Sequence, residues 1–421
     1  MLDIKFIRQN SNLVKDACEK KGVNIDIDLL LEVDKKRLET LQALEDMQAQ
    51  KNKANKEIQQ ANSEEKNTII LKMRELDENS DRLNQDSQKF EKEFNDLMIK
   101  IPNIPFEDVP VGQDERDNIS IREVGKKPKF DFQFKDYMEL AENLDLIDTK
   151  RAAKVSGSRF GYLKREAALL EFALIKFASD FLIKKGFIPV IPPVMIKPEM
   201  ALGMGYLEQT GEDEAYFLPK DNLYLTGTSE QSLGAMHAGE VFNAEDLPRR
   251  YFAFSTCFRR ESGSYGKDTK GILRVHQFDK LEMFIFSKPE DSKKEHKLLL
   301  SLEEELMAAL KIPYQVLQIC TGDLGRPAAA KYDIESWVPS ENRYRETHST
   351  SNCTDFQSRR LDIRYKNKEG KLDFVHTLNG TAFAIGRTII AIIENYQQKD
   401  GSIKIPDVLR KYCGFKDIKR R

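Results

Sequence analysis

The sequence predicts an α+β protein: an N-terminal antiparallel coiled-coil helical arm, then a domain built on an antiparallel sheet with flanking helices. Three observations predict it. Apolar residues from Ile69 to Ile101 repeat at seven-residue spacing, the composition changes across Pro102, Pro105 and Pro110, and the strand-like runs beyond that break cluster in hairpin-like pairs.

The first hundred residues hold no Trp, Tyr or Pro and a single glycine, Gly22, amid long stretches of Glu, Lys, Gln, Asn and Leu. Ile69, Leu76, Leu83, Phe90 and Leu97 lie seven apart, with Met73, Phe94 and Ile101 on a companion seam that also holds Ser80 and Ser87. Four such repeats predict a coiled coil. Leu31, Leu38, Leu41 and Leu44 begin a matching helix whose seam turns polar toward Asn52 and Asn55, and Ala61 to Glu65 supply a turn with Ser63 as helix N-cap. Two helices of about thirty residues folding back on each other make an arm of roughly 45 Å that projects from the body. Lys51, Lys53, Lys56, Lys66, Lys72 and Arg74 crowd its tip half. The arm is expected over residues 30 to 100 within an N-terminal domain spanning 1–110, ended by a proline-marked linker.

The second domain, 111–421, carries β-patterned runs at Tyr251 to Phe258, Leu273 to Phe286, Tyr314 to Cys320, Arg359 to Tyr365 and Asp373 to Leu378. Helices are expected over Arg165 to Lys185, Lys293 to Leu310 and Thr381 to Tyr396. Trp337, Phe356 and the run Ile389 to Ile393 are expected in the core; Lys416, Lys419, Arg420 and Arg421 are expected as a solvated tail.

Bulk properties narrow the function. Sixty-seven basic side chains face 69 acidic ones, so no global positive field announces nucleic acid, and a bound RNA would need local patches. Cys18, Cys257, Cys320, Cys353 and Cys413 are scattered singly, against a disulfide framework or a structural zinc site. No run of eighteen apolar residues occurs, and the start of the chain is charged, so a cytoplasmic protein with no membrane span or signal peptide is expected.

The segment from Phe258 to Phe284 decides more. Its middle, GSYGKDTKG, has the composition of a phosphate-binding loop, but the glycine spacing is too short, Asp268 follows Lys267, and a strand rather than a helix comes next. The chemistry lies in the flanks. On an extended backbone Arg274, His276, Phe278, Lys280 and Glu282 share a face, as do Arg259 and Glu261 on the preceding strand. Pairing the two strands assembles Arg259, Arg274, Phe278 and Glu282 into one floor: guanidinium groups for phosphate, a ring for a base, a carboxylate for an amine or hydroxyl.

These residues resemble motif 2 of the class II aminoacyl-tRNA synthetases, specifically the seryl-tRNA synthetase family. "LNGTAFAIGRTIIAIIENYQ" is similar to motif 3, with its arginine at Arg387, and "FASDFLIKKGFIPVIPP" to motif 1, with its proline at Pro192 or Pro193. "SGSRF", "LTGTSEQ" and "RETHSTSNCTDFQSRR" resemble pieces specific to the seryl family, so the likeness runs over essentially the whole chain.

The resemblance implies a class II catalytic domain that forms seryl-adenylate from L-serine and ATP with Mg²⁺ and charges tRNA(Ser), with the selenocysteine tRNA a second candidate. It implies that Thr228, Ser229 and Glu230 hold the serine amino group, and that Arg259 bridges the serine carboxylate and the ATP α-phosphate. Glu282 with Thr381 and Asn379 would meet the hydroxyl. ATP would be held by Arg259, Arg260, Glu261, Arg274, Val275, Phe278, Glu346, Thr347, His348, Ser349 and Arg387, with Phe278 stacking adenine, while Glu346 and Ser349 position the metal. Arg259, Glu282 and Arg387 would carry catalysis. The arm and the motif 2 loop, including Lys267 and Lys270, would contact tRNA, and motif 1 would form a homodimer.

The chemistry suits these residue types, because a carboxylate attacking a phosphate brings two anions together and needs positioned cations rather than a nucleophilic side chain. Some positions depart from the commoner bacterial pattern: "GTSEQ" stands for a PTAE form, His348 and Thr350 fall where SSCS usually runs, and Thr381 replaces a serine while keeping the hydroxyl. His348 lies near Glu346, within reach of ATP, but an isolated histidine is more often structural. Two other readings are weighed. A threonyl or prolyl enzyme would need an anticodon-binding domain after motif 3, where about twenty-five residues follow Tyr396. A non-catalytic paralogue acting as an interaction protein predicts loss of a motif arginine, yet Arg259 and Arg387 are present.

Overall fold

The computed structural model describes residues 1–60, 62–207, 214–262 and 270–420. The chain divides into two compact units, Met1–Pro102 and Asn103–Arg421.

In the first unit two short helices, α1 (Ile4–Gln9) and α2 (Ser11–Lys20), precede α3 (Ile27–Gln60) and α4 (Ser63–Met98). At 34 and 36 residues the long pair spans about 50 Å each. Arg37 bonds Glu91 and Lys51 bonds Asp77, so fourteen residues forward on α3 is fourteen back on α4, and the two run antiparallel. The α4 heptad holds: Leu76 and Phe94 are buried, and Ile69, Met73, Leu83, Phe90 and Leu97 are half-buried among exposed neighbours. The α3 seam does not. Of the four expected leucines, Leu31 and Leu44 are half-buried but Leu38 and Leu41 are exposed, and the residues turned inward include Leu30, Val33, Asp34, Arg37, Thr40, Lys51 and Ala54. Arg37 owes its place to three partners, Asp34, Glu91 and the Phe94 ring, whose centroid lies 4.4 Å from the guanidinium; a pattern of apolar residues alone cannot register such a position. The N-cap of α4 is Asn62 rather than Ser63: its side chain accepts from the Glu64 and Glu65 amides while the Glu65 carboxylate accepts from the Asn62 amide.

The second unit is built on an eight-stranded sheet. Its strands in chain order are β1 (Ile119–Val124), β2 (Ile188–Val190), β3 (Arg249–Phe258), β4 (Gln277–Ser287), β5 (Tyr314–Gln318), β6 (Ala330–Val338), β7 (Arg343–Asn352) and β8 (His376–Ala384). They lie in the order β1-β5-β6-β7-β8-β4-β3-β2, antiparallel except for β2 with β3. Three long helices, α5 (Arg165–Lys184), α8 (Ser292–Leu310) and α10 (Ile385–Asn395), supply much of the main core, together with Leu281, Met283 and Ile285 of β4. Shorter helices α6 (Pro198–Met204), α7 (Ser229–Ala235) and α9 (Phe356–Leu361) stand between these long ones in sequence. The run Ile389 to Ile393 is buried, as are Trp337 and Phe356, and Lys416, Lys419 and Arg420 are exposed.

Three expected elements are corrected. Residues 359–365 split into the end of α9 and a short strand, Arg364–Lys366, because the Arg359–Asp355 pair and buried Phe356 and Leu361 favour a helical turn, ended by Asp362 at a φ of 53°. Thr381 lies on β8, not on a helix: the register pairs it with Glu282, and α10 begins only at Ile385. The third, the start of β4, concerns the site below.

The imidazole of buried His296 on α8 donates through Nε2 to the Thr350 carbonyl of β7 at 3.1 Å. Burial pushes its pKa from 6.5 down to about 4. Between those values the unfolded chain binds the proton the folded chain refuses, so the stability this neutral histidine supports is complete above pH 6.5 and lost as pH falls through 4. The span is worth up to ~3 kcal/mol. We expect His296→Gln to flatten the acid limb of the unfolding midpoint between pH 6.5 and 4; an unchanged slope would exclude this origin.

Candidate active site

β4 sits between β3 and β8, with Ala253 opposite Glu282 on one side and Thr381 opposite it on the other. Phe278, Lys280 and Glu282 alternate with the core residues Leu281 and Met283, and line a cavity of about 390 Å³. The expected floor therefore forms, though not as one sheet face. β3 ends at Phe258 and β4 begins at Gln277, so Arg259, Glu261, Arg274 and His276 stand outside the strands. Left-handed backbone at Glu261 (φ 53°) and Gly271 (φ 76°) breaks the extension. The turns then converge: the Arg259 amide donates to the His276 carbonyl at 2.9 Å, His276 Nδ1 donates back to the Arg259 carbonyl at 3.0 Å, and Arg274 bonds Glu261 at 2.8 Å. Arg259, Glu261, Arg274 and Val275 all line the same cavity. Residues 263–269 of the loop, Lys267 among them, lie outside the described residues; Lys270 is exposed.

From α7 comes Glu230, buried and facing the cavity. Thr228 caps that helix, its hydroxyl accepting from the Glu230 amide at 3.2 Å, and the buried Ser229 hydroxyl donates to the Ala253 carbonyl at 3.4 Å. Gln357 and Asn379 donate to the Glu230 carboxylate at 3.1 and 2.9 Å, and the Tyr206 hydroxyl bonds it as well. Burial first, then the nearby Glu282, raise the Glu230 carboxyl above the usual range. Glu282 is fully buried: Oε2 meets Lys280 at 2.6 Å and accepts from Thr381 at 3.4 Å, while Oε1 has no hydrogen-bond partner.

At the opposite wall stand Glu346, Thr347 and Ser349 of β7 with Arg387 of α10. Arg387 bonds both the carbonyl and the carboxylate of Glu346, at 2.9 and 3.1 Å. Desolvation by the surrounding protein opposes ionisation of Glu346, but its side chain is 47% exposed, and Arg387 and then Lys331 hold its carboxyl well below the ordinary range. Lys331 pairs with Asp333 at 3.2 Å on β6, and burial raises that carboxyl to about 6 despite the lysine.

Arg260 is exposed, donating to the Ala215 carbonyl with its guanidinium 4.9 Å from the Tyr216 ring centre. His348 is buried against Phe383 with Nδ1 2.9 Å from the Thr347 hydroxyl. The sequence puts Lys280 on the strand face of Phe278 and Glu282 without giving it a task, and it assigns no role to Lys331, Tyr206 or Gln357. The first two carried a signal, a lysine two residues before a carboxylate on a strand, hence on its face. Tyr206 and Gln357 reach Glu230 from 24 and 127 residues away, and no local pattern marks them.

Residues 1–105 match the family described as the seryl-tRNA synthetase N-terminal domain, and residues 216–396 the tRNA synthetase class II core domain (G, H, P, S and T). The serine–tRNA ligase of Dictyoglomus thermophilum is 44% identical, covering 100% of this chain and 99% of its own, and that of Thermobifida fusca 43%, covering 98% of each. The crystal structure of seryl-tRNA synthetase from Pyrococcus horikoshii complexed with ATP superposes with a TM-score of 0.93 at 42% identity, covering 100% of both chains.

Proposed function

The chain belongs to the seryl-tRNA synthetase family, and from that premise we propose how its cavity performs the reaction. The enzyme activates L-serine: a carboxylate oxygen of serine forms a bond to the α-phosphorus of ATP, the bond to pyrophosphate breaks, and seryl-adenylate results. A hydroxyl at the 3′ end of tRNA(Ser) then takes the seryl group and AMP leaves.

The observation that carries the substrate assignment is the free Oε1 of Glu282, a buried acceptor on a residue that lines the cavity and that takes the Thr381 hydroxyl on its other oxygen. A serine hydroxyl donating to it removes the cost of a stranded polar atom; alanine leaves that cost in place. Glu230, with Thr228 and Ser229 fixing its helix and Asn379 its carboxylate, receives the ammonium group. Arg259 spans the serine carboxylate and the α-phosphate, Phe278 stacks adenine, and Glu261, Val275 and Thr347 line the nucleotide site around it, whereas Arg260, engaged by Ala215 and Tyr216, and His348, buried against Phe383, are not among the residues that line the cavity. Arg274 and Arg387 meet the phosphates.

Mg²⁺ fits the donor set at this wall. Glu346 and Ser349 offer hard oxygen ligands, and the described residues hold no group of three or more His, Cys, Asp or Glu that would cage a metal, as suits an ion completed by substrate phosphates and water. When bound it would neutralise phosphate charge; Arg259, Arg274 and Arg387 hold the same phosphates from the protein side.

tRNA binding is assigned to the arm, where Lys53, Lys56, Lys66, Lys72 and Arg74 are exposed while Lys51 is engaged with Asp77 in the seam, and to the motif 2 loop with Lys270. The selenocysteine tRNA is included as a candidate substrate. Homodimerisation through motif 1 is supported by Leu169, Phe172, Ile183, Ile188 and Ile191, large apolar side chains left exposed on α5 and β2 and just beyond it. No helix among the described residues is long and apolar enough to cross a membrane; a cytoplasmic location is part of this proposal. The test is serine-dependent exchange of pyrophosphate into ATP with Mg²⁺. Exchange with serine and not threonine, proline or alanine is expected, and exchange driven by one of those instead would overturn the assignment.

A further inference from the structure

The amino-acid end of the cavity holds two buried carboxylates and they are treated differently. Glu230 is surrounded by neutral donors, Tyr206, Gln357 and Asn379. Glu282 has a cation: Lys280, itself only 8% exposed, lies 2.6 Å from Oε2, and Oε1 is left without a hydrogen bond. Counted by ion pairs among the described residues, the two carboxylates share one lysine, so Glu230 has neutral donors but no cation of its own. An amino acid's ammonium group supplies one, while the amino acid's carboxylate is met by Arg259.

We propose that Lys280 is a positioning residue for substrate selection: it keeps Glu230 and Glu282 charged together and pins Glu282 so that Oε1 faces the cavity as the acceptor for the substrate hydroxyl. The inference rests on the reading of the cavity as the serine site. Without Lys280 the pocket would hold two buried anions, and one of them would take up a proton, as closely placed carboxyls do. A protonated Glu230 binds an ammonium group poorly; a protonated or displaced Glu282 no longer demands a hydroxyl.

No other group replaces the lysine. The titratable and charged side chains that face this pair are Tyr206 beyond α6, Cys257 on β3, Glu303 on α8 and Arg259 after β3. Burial raises the first three and none of them is a cation, and Arg259 is held by the Gly227 carbonyl at 3.1 Å rather than by either carboxylate. The strand geometry gives the lysine its place: Lys280 and Glu282 are two apart on β4, on the face that also carries Phe278.

The experiment compares wild type, Lys280→Met and Lys280→Arg in pyrophosphate exchange between pH 6.5 and 9, with serine and alanine. In Lys280→Met the KM for serine rises about 30-fold or more and the preference for serine over alanine falls at least about tenfold, while the KM for ATP stays within about twofold. Its KM for serine also improves as pH rises and the shared proton leaves, more steeply than in wild type. Lys280→Arg restores most of the loss. Should Lys280→Met fold poorly, Lys280→Met/Glu282→Gln removes both charges at once; it recovers a flat pH response but not the preference for serine. An unmoved serine KM in Lys280→Met, serine and ATP constants rising together, or a double variant that still discriminates would overturn the role of Lys280. Absence of serine-dependent exchange in the wild type itself would overturn the reading of the cavity and the inference with it.

Discussion

Deleting residues 45–85 leaves serine-dependent pyrophosphate exchange within about twofold of wild type and lowers charging of tRNA(Ser) on the order of 10²-fold or more. The deletion is matched to the helix register. Lys51 against Asp77 and Arg37 against Glu91 place residue 44 of α3 across from residue 84 of α4, so the cut removes the distal hairpin and keeps the stretch where Arg37, Asp34 and Phe94 lock the helices together. Every residue lining the cavity belongs to the other compact unit, Asn103–Arg421, which the deletion does not touch. The chemistry of adenylation needs only serine, ATP and that cavity. Charging needs the RNA as well, and the deletion takes away Lys53, Lys56, Lys66, Lys72 and Arg74 together. Four or five lost phosphate contacts predict a second signature: wild-type charging weakens by roughly 50- to 500-fold between 50 and 200 mM salt, and the truncated protein loses most of that dependence. Equal loss of exchange and charging would make the arm a structural element rather than an RNA contact.

How much of this could be read from the chain depends on how local each interaction is. The α4 heptad and the alternation of Phe278, Lys280 and Glu282 are one-dimensional patterns, and both survive in the fold because the surface each faces is continuous. The α3 seam is misread because Arg37 occupies an inward position that only its partners Asp34, Glu91 and Phe94 justify. Arg274 and Glu261 reach the cavity from turns set by left-handed backbone at Glu261 and Gly271; extending the strands over them gives the right neighbours for the wrong reason. Thr381 falls in a sequence that reads as helical, and its register against Glu282 overrides that propensity. The donors that fix Glu230 come from Gln357 on α9 and Asn379 on β8, 127 and 149 residues away, and only the assembled fold brings them there.

The same accounting of partners predicts which arginine the reaction can least spare. Most cations at the cavity already have a carboxylate: Lys280 has Glu282, Arg274 has Glu261, Lys331 has Asp333 and Arg387 has Glu346. Arg259 does not; among the described residues its guanidinium donates through Nε to the Gly227 carbonyl at 3.1 Å and rests 5.2 Å from the Phe278 ring centre, and no carboxylate pairs with it. An unpaired cation in a partly enclosed site is costly unless a ligand anion meets it, and the bond-forming step brings two anions, the serine carboxylate and the α-phosphate, to one point. Arg259→Gln, which keeps a planar though shorter donor and removes the charge, is therefore expected to lower kcat/KM for exchange about 10³-fold, equivalent to ~4 kcal/mol of transition-state stabilisation. Arg259→Lys restores the charge without the two-pronged geometry and recovers only part of the loss. Arg387→Gln costs less, because the charge it removes is partly spent on Glu346. Exchange by Arg259→Gln within about tenfold of wild type, or a larger loss in Arg387→Gln than in Arg259→Gln, would show that charge at Arg259 is not what brings the carboxylate and phosphate together.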